Sequence, residues 1–166
     1  MSLKAFGVPN QTDTKFDLGS MNKMFTAVTV ARMIEEGTLR LDDTIGEYLG
    51  PEWLRPGIGE KVTIEHLLTH TSGLGSYYSP ELMELNPGRF RAIDDFQEIV
   101  RRDSLRFESG TRWSYSNTGF LLLGAIIEKV TGRSYYDAVR EYVYEPAGMT
   151  ATDAYAVDEP TPNLAI

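Results

Sequence analysis

The chain has 166 residues, of which 42% are hydrophobic and 24% charged, a length and composition that suit one packed core. A formal net charge of −8 and a sequence isoelectric point near 4.8 argue against a nucleic-acid-binding face and against docking on an anionic membrane surface. With no cysteine, disulfides, thiolate nucleophiles and cysteine–zinc sites are excluded.

Residues Lys4 to Gly19 are polar and carry Gly7, Pro9 and Asn10, which predicts a loop following a short extended piece. From Met21 the pattern turns helical. Met24, Phe25, Val28, Ala31 and Ile34 recur at helical spacing and Gly37 supplies a stop, so a helix of about four turns is expected with Ser20 at its N-terminus. Leu39, Leu41 and Ile45 anchor a turn-rich segment around Asp42-Asp43. A short helix is predicted from Thr63 to Thr69, broken by Ser72-Gly73, and mostly loop from Ser76 to Arg91. Ile93, Phe96, Ile99 and Val100 share one face of a helix spanning Ile93 to Arg102. The run Asn117 to Val130 is strongly helical and ends at Gly132. A further helix starts at Ser134, with Asp137 completing a capping-box variant, and stops near Pro146-Ala147-Gly148. Periodicity is lost after Thr150. The pattern yields helices and no clear strand, without internal repeat or linker.

No apolar run reaches the roughly 20 residues of a membrane span. Met1-Ser2-Leu3 is followed by no signal-peptide h-region; it reads as the start of a trimmed chain, and the compartment stays open. The ending at Leu164-Ala165-Ile166, without cap chemistry, reads the same way.

Ser20-Met21-Asn22-Lys23 is an S-x-x-K arrangement at a helix N-terminus. Positions i and i+3 lie on one helix face, so the hydroxyl and the amine can meet. A serine hydroxyl is a poor nucleophile until a neighbouring base takes its proton. Lysine can serve only in its neutral form, which burial and the positive end of the helix dipole favour. The same helix start offers backbone N–H groups to a developing oxyanion. The plain alternative is a serine N-cap. Tyr115-Ser116-Asn117 adds a phenol that can share a proton with a lysine, and an amide that can orient a carbonyl. Its plain alternative is a core tyrosine followed by an Asn cap. Each motif alone is weak.

Together, and in this order, they lie among other distinctive stretches: Leu18-Gly19-Ser20-Met21-Asn22-Lys23-Met24-Phe25-Thr26, Glu36-Gly37-Thr38-Leu39-Arg40-Leu41-Asp42-Asp43, Leu67-Leu68-Thr69-His70-Thr71-Ser72-Gly73-Leu74, and Pro146-Ala147-Gly148-Met149. From about Asp13 to Asp153 the chain resembles the serine β-lactamase-like family of class C β-lactamases, D-alanyl-D-alanine carboxypeptidases, D-aminopeptidases and related esterases. The resemblance implies that Ser20 is the acylated nucleophile, Lys23 its base partner, Tyr115 the proton shuttle and Asn117 a substrate contact. Which of Lys23 and Tyr115 takes the serine proton stays open, and the two are treated as one coupled pair. It implies acyl transfer to an amide or ester (a β-lactam, a D-amino-acid peptide or a simple ester), without metal or cofactor. It also fits a periplasmic or secreted parent.

Family members carry a third motif, of Lys-Thr-Gly or His-x-Gly type, on a strand that supplies a second oxyanion N–H, and begin with strands of the same sheet. Neither is found in this sequence. Residues 1–166 are therefore expected to form a single partial domain, a mostly α fragment of an α+β fold: the helical region of the β-lactamase/penicillin-binding-protein fold with most of the antiparallel sheet missing. Such a fragment is expected to be inactive by itself, and to self-associate or be unstable in isolation, because helix faces that a sheet would cover are exposed.

Other features read more plainly. His66 and His70 are spaced like a zinc pair, but Leu67 stands where a metalloprotease has Glu and no third ligand follows; no metal site is expected, and His70-Thr71-Ser72-Gly73 reads as a structural turn. Tyr77, Tyr78, Tyr135, Tyr136, Tyr142 and Tyr144 read as packing surface. The competing functional reading is a non-catalytic helical binding or scaffold module that retains the motifs as structure.

Overall fold

The computed structural model describes residues 9–78, 82, 87–155 and 159–165. Among them are five α-helices: α1 (Lys23–Glu35), α2 (Ile64–Leu68), α3 (Gln97–Val100), α4 (Asn117–Thr131) and α5 (Tyr135–Val139). No strand occurs among the described residues. Extended pairing is confined to isolated bridges between Lys15 and Leu164 and between Thr44 and Thr63. The mostly α character expected from the sequence is what is found. Residues 4–8 of the leading loop, 79–81 and 83–86 of the loop expected over Ser76 to Arg91, and Ile166 lie outside the described residues.

The most apolar run becomes the central helix. Leu122, Leu123, Ile126 and Ile127 on α4 are fully buried, and α4 packs against α1, α2 and α5. Its start is capped by Ser116, whose Oγ accepts the Gly119 N–H at 2.9 Å. The plain alternative of an Asn117 cap does not hold, because Asn117 is the first helical residue. Gly132 ends α4 with φ 67°, a left-handed C-cap that suits glycine. Val30 and Met33 of α1, Ile64 and Leu67 of α2, and Ile45 and Val62 from the connecting segment belong to the same core.

Two helices start where the sequence places them, each with a side-chain cap. Thr63 accepts the His66 N–H at 3.3 Å to start α2. Ser134 Oγ accepts the Asp137 N–H at 3.1 Å and donates to its carboxylate at 2.6 Å to start α5.

Three expectations change. Of the apolar positions Met24, Phe25, Val28, Ala31 and Ile34 on α1, only Phe25 and Ile34 are partly buried against the core. Thr26, Thr29, Val30 and Met33 are buried, while Met24 and Val28 are 53% and 45% exposed. The buried threonines are satisfied, Thr29 Oγ1 donating to Phe25 O at 2.9 Å and Thr26 Oγ1 lying 2.7 Å from the Tyr135 hydroxyl, so burying them against α4 and α5 costs little. The helix expected over Ile93 to Arg102 begins as a 3-10 turn at Ile93–Phe96, and only α3 is α-helical. There the Asp95 carboxylate takes the Arg91 and Ala92 N–H groups, each at 2.7 Å, which tightens the first turn.

The helix expected from Ser134 to Pro146 stops as α5 and widens into a π turn, Arg140–Tyr144, closed by the Glu145 N–H on Arg140 O at 2.9 Å. The wider turn accompanies a second apolar cluster, in which Val139, Val143 and Tyr144 pack on Phe25 and Met149. Val143 thereby stays inside while the Tyr142 hydroxyl reaches Glu36 at 2.9 Å.

Ile126→Ala is expected to lower the unfolding free energy by about 2–5 kcal/mol through lost burial and the cavity left, whereas Val28→Ala is expected to change it by less than about 0.5 kcal/mol. Urea unfolding followed by circular dichroism measures both, and equal losses would contradict this placement of the core.

Candidate active site

Ser20 sits in a 3-10 turn, Gly19–Asn22, that leads directly into α1. Gly19 opens the turn with φ 51°, a conformation side chains resist, and its N–H is held by Asp17 Oδ1 at 2.8 Å. In a 3-10 turn the side chains at i and i+3 eclipse. Lys23 therefore stands over Ser20, and its Nζ donates to Ser20 Oγ at 3.3 Å. The sequence placed Ser20 at the helix N-terminus, and it stands in the 3-10 turn that leads into that helix.

Tyr115 arrives from the other side. It lies in an extended stretch ahead of α4, and its hydroxyl donates to the same Ser20 Oγ at 2.8 Å. Lys23 Nζ sits 5.1 Å from the Tyr115 ring centroid and 5.8 Å from that of Phe120, so the ammonium rests on an aromatic floor. Burial pushes the Tyr115 phenol up. Hydrogen bonding to Lys23 and Ser20, with the Lys23 charge, outweighs that and leaves it below the ordinary tyrosine value.

The stretch bearing Tyr115 is laced to the segment after α2. Arg106 N–H donates to Gly73 O at 2.9 Å, Ser109 Oγ to Ser72 O at 2.8 Å, Gly110 N–H to Thr71 O at 2.9 Å and Ser114 N–H to His70 O at 2.8 Å. Ser116 adds a bond from Oγ to Gly75 O at 2.7 Å. Gly73 is required there: its φ is 84°, and a Cβ would stand 2.5 Å from Phe107 O. Leu67-Leu68-Thr69-His70-Thr71-Ser72-Gly73-Leu74 is thus the rail on which Tyr115 is mounted.

Of the four residues singled out in the sequence, Ser20, Lys23 and Tyr115 converge on one oxygen. Asn117 is engaged elsewhere, its Nδ2 donating to Ser76 Oγ at 3.0 Å, which ties the Tyr77-Tyr78 loop to the start of α4. The sequence reading missed the parts played by His70, Phe120, Ser76 and Ser116. Of these only Ser116 left a local signal, as a serine three residues before Gly119 at a helix start.

The two histidines are engaged separately. His66 Nδ1 accepts the Thr63 N–H at 3.3 Å and His70 Nδ1 the Ser116 N–H at 3.2 Å. Among the described residues no three His, Asp or Glu side chains group as metal ligands. No helix among them is long and apolar enough to cross a membrane. A cavity of about 100 Å³ lies beside Asn22, lined by Phe25, Tyr135, Tyr136 and Tyr144 among others, apart from the oxygen of Ser20.

The β-lactamase family profile matches residues 2–166. The chain belongs to the β-lactamase family. Penicillin-binding protein 4* of Bacillus subtilis is 36% identical over 150 residues, covering 89% of this chain and 32% of that protein. Esterase EstB of Burkholderia gladioli is 36% identical over 155 residues, covering 86% of this chain and 39% of that one. Among solved structures, a penicillin-binding protein from Bacillus halodurans superposes with a TM-score of 0.86 at 32% identity, over 95% of this chain and 48% of that chain. This β-lactamase-family chain therefore has the helical part of that fold, and it spans about a third of the length of these curated relatives.

Proposed function

We propose that these residues carry the nucleophile and the proton-transfer pair of a serine hydrolase, within one partial domain over residues 1–166. The observation that supports this most is the double donation to Ser20 Oγ, from Tyr115 at 2.8 Å and Lys23 at 3.3 Å. Side chains from a helix start and from a distant loop meet on one hydroxyl, which an N-cap alone does not require.

The chemistry is acyl transfer. With one proton removed from the Lys23–Tyr115 pair, the pair can accept the serine proton. Ser20 Oγ bonds to the acyl carbon while its proton passes to the pair, and the negative charge moves to the carbonyl oxygen. The amides flanking Ser20 are committed, Gly19 N–H to Asp17 and Met21 N–H to Leu18 O, leaving the Ser20 N–H as the donor for that oxyanion. Collapse breaks the bond to the leaving amine or alkoxide, which takes the proton. Water then repeats the sequence on the acyl-serine and restores Ser20. No step needs a metal or cofactor.

Relatives named as a penicillin-binding protein and as an esterase support amides or esters, including β-lactams and D-amino-acid peptides, as acyl donors. Asn117, whose Nδ2 donates to Ser76 Oγ at 3.0 Å, completes the reading as a substrate contact, its amide oxygen being the acceptor for an N–H of the acyl donor.

After incubation with a fluorophosphonate or a penicillin, intact-mass and peptide analysis is expected to show one adduct, on Ser20. Ser20→Ala is expected to abolish it, and Lys23→Ala or Tyr115→Phe to slow it by about 10²–10⁴-fold. A folded protein that acquires no adduct at Ser20 contradicts the proposal. We also propose that the exposed apolar residues Met21 of the Gly19–Asn22 turn and Met24 and Val28 of α1, 56%, 53% and 45% exposed, drive self-association. Light scattering is then expected to show oligomers that Met24→Glu dissociates; a monomer at all concentrations would contradict this.

A further inference from the structure

His70 touches Tyr115 in three ways. Its carbonyl oxygen accepts the Ser114 N–H at 2.8 Å, and its Nδ1 accepts the Ser116 N–H at 3.2 Å. These two amides flank Tyr115 in the chain, so one residue holds the backbone on both sides of the phenol. Its ring also lies against that of Tyr115, with centroids 4.6 Å apart at 37°, and against Phe120 at 5.1 Å. Trp113 closes the edge at 6.1 Å and 80°.

This arrangement carries a backbone cost. His70 has φ 59°, a left-handed conformation that a non-glycine residue adopts only at a cost. A strained residue with three ties to the segment Ser114 to Ser116 is held in place by those ties. Accepting through Nδ1 also fixes the ring chemistry, because a neutral imidazole that accepts at Nδ1 bears its proton on Nε2. Burial, and secondarily the Lys23 charge, disfavours the imidazolium, which keeps Nδ1 available as an acceptor.

We propose that His70 is a positioning residue for the acyl-transfer reaction, locking the Tyr115 phenol at hydrogen-bonding distance from Ser20 Oγ through its Nδ1 bond to the Ser116 amide and its ring contact. This rests on the hydrolase reading above. A purely structural His70 would stabilise the loop without altering the behaviour of the phenol, and that difference is measurable.

Two variants separate the roles. His70→Asn tolerates the left-handed backbone and offers an amide oxygen to the Ser116 N–H. His70→Gly takes the same φ freely but offers neither acceptor nor ring. The protein is labelled with [13Cζ]tyrosine, Tyr115 is assigned by Tyr115→Phe, and its titration is followed by NMR alongside the rate of Ser20 phosphonylation. In the parent, Tyr115 is expected to titrate below the ordinary tyrosine value. In His70→Gly it should move up toward that value, with adduct formation slowed roughly 10- to 100-fold. His70→Asn should recover most of both.

A folded His70→Gly protein with unchanged Tyr115 titration and an adduct rate within about twofold of the parent overturns the proposal. Equal losses in the two variants overturn the role given to Nδ1. Should His70→Gly fail to fold, 15N NMR of the parent imidazoles decides: an Nε2–H tautomer at His70 supports the proposal and an Nδ1–H tautomer overturns it. The Tyr115 titration requires no reaction at Ser20. A parent that forms no adduct therefore sinks the hydrolase reading while leaving His70 separately tested.

Discussion

A phenol 95 residues away in sequence has to be held 2.8 Å from a serine oxygen, and most of the structure around the site serves that constraint. A hydrogen bond of this length tolerates little displacement. Tyr115 stands outside regular secondary structure, where a backbone has no ladder of its own to fix it. Its position is borrowed from two sources. One is α4, which begins at Asn117 just beyond Tyr115 and is anchored by the buried Leu122, Leu123, Ile126 and Ile127. The other is the rail formed by His70 to Gly75, whose carbonyls and imidazole take donors from both sides of the tyrosine.

Ser20 is positioned by a different device. The Gly19–Asn22 turn eclipses it with Lys23, and α1 carries that turn against α4 and the π turn. The same central helix thus orients both halves of the site. Rigid packing beneath and short tethers above place a cation and a phenol on one hydroxyl before any substrate arrives, which is how preorganised sites avoid reorganisation during reaction. The electrostatics follow from the placement: with Lys23 Nζ close to its ring, the phenol gives up its proton more readily than an ordinary tyrosine despite its burial.

Much of this was legible in the sequence because the governing interactions are local. The spacing of Ser20 and Lys23, the apolar run of α4 and its glycine stop, and the Ser134 cap all depend on residues close to one another in the chain. What was not legible depends on distant partners. Nothing near α1 says that Thr26, Thr29, Val30 and Met33 face the core while Met24 and Val28 do not, since both faces are apolar enough and the choice is made by α4 and α5. The π turn at Arg140–Tyr144 goes with packing on Phe25, over a hundred residues earlier. His70 looked like a turn residue, and locally it is one. Its bond to the Ser116 amide exists only because two segments 46 residues apart are laced together.

The central claim is that Lys23 and Tyr115 act on Ser20 as one unit. The most direct measurement is a double-mutant cycle on the rate of Ser20 phosphonylation, using Lys23→Met, Tyr115→Phe and the pair together. Groups that work as one unit are strongly non-additive. The account requires each single variant to lose nearly as much rate as the double. If the two losses instead multiply, Lys23 and Tyr115 act independently, and the account of a shared proton on one serine oxygen is wrong.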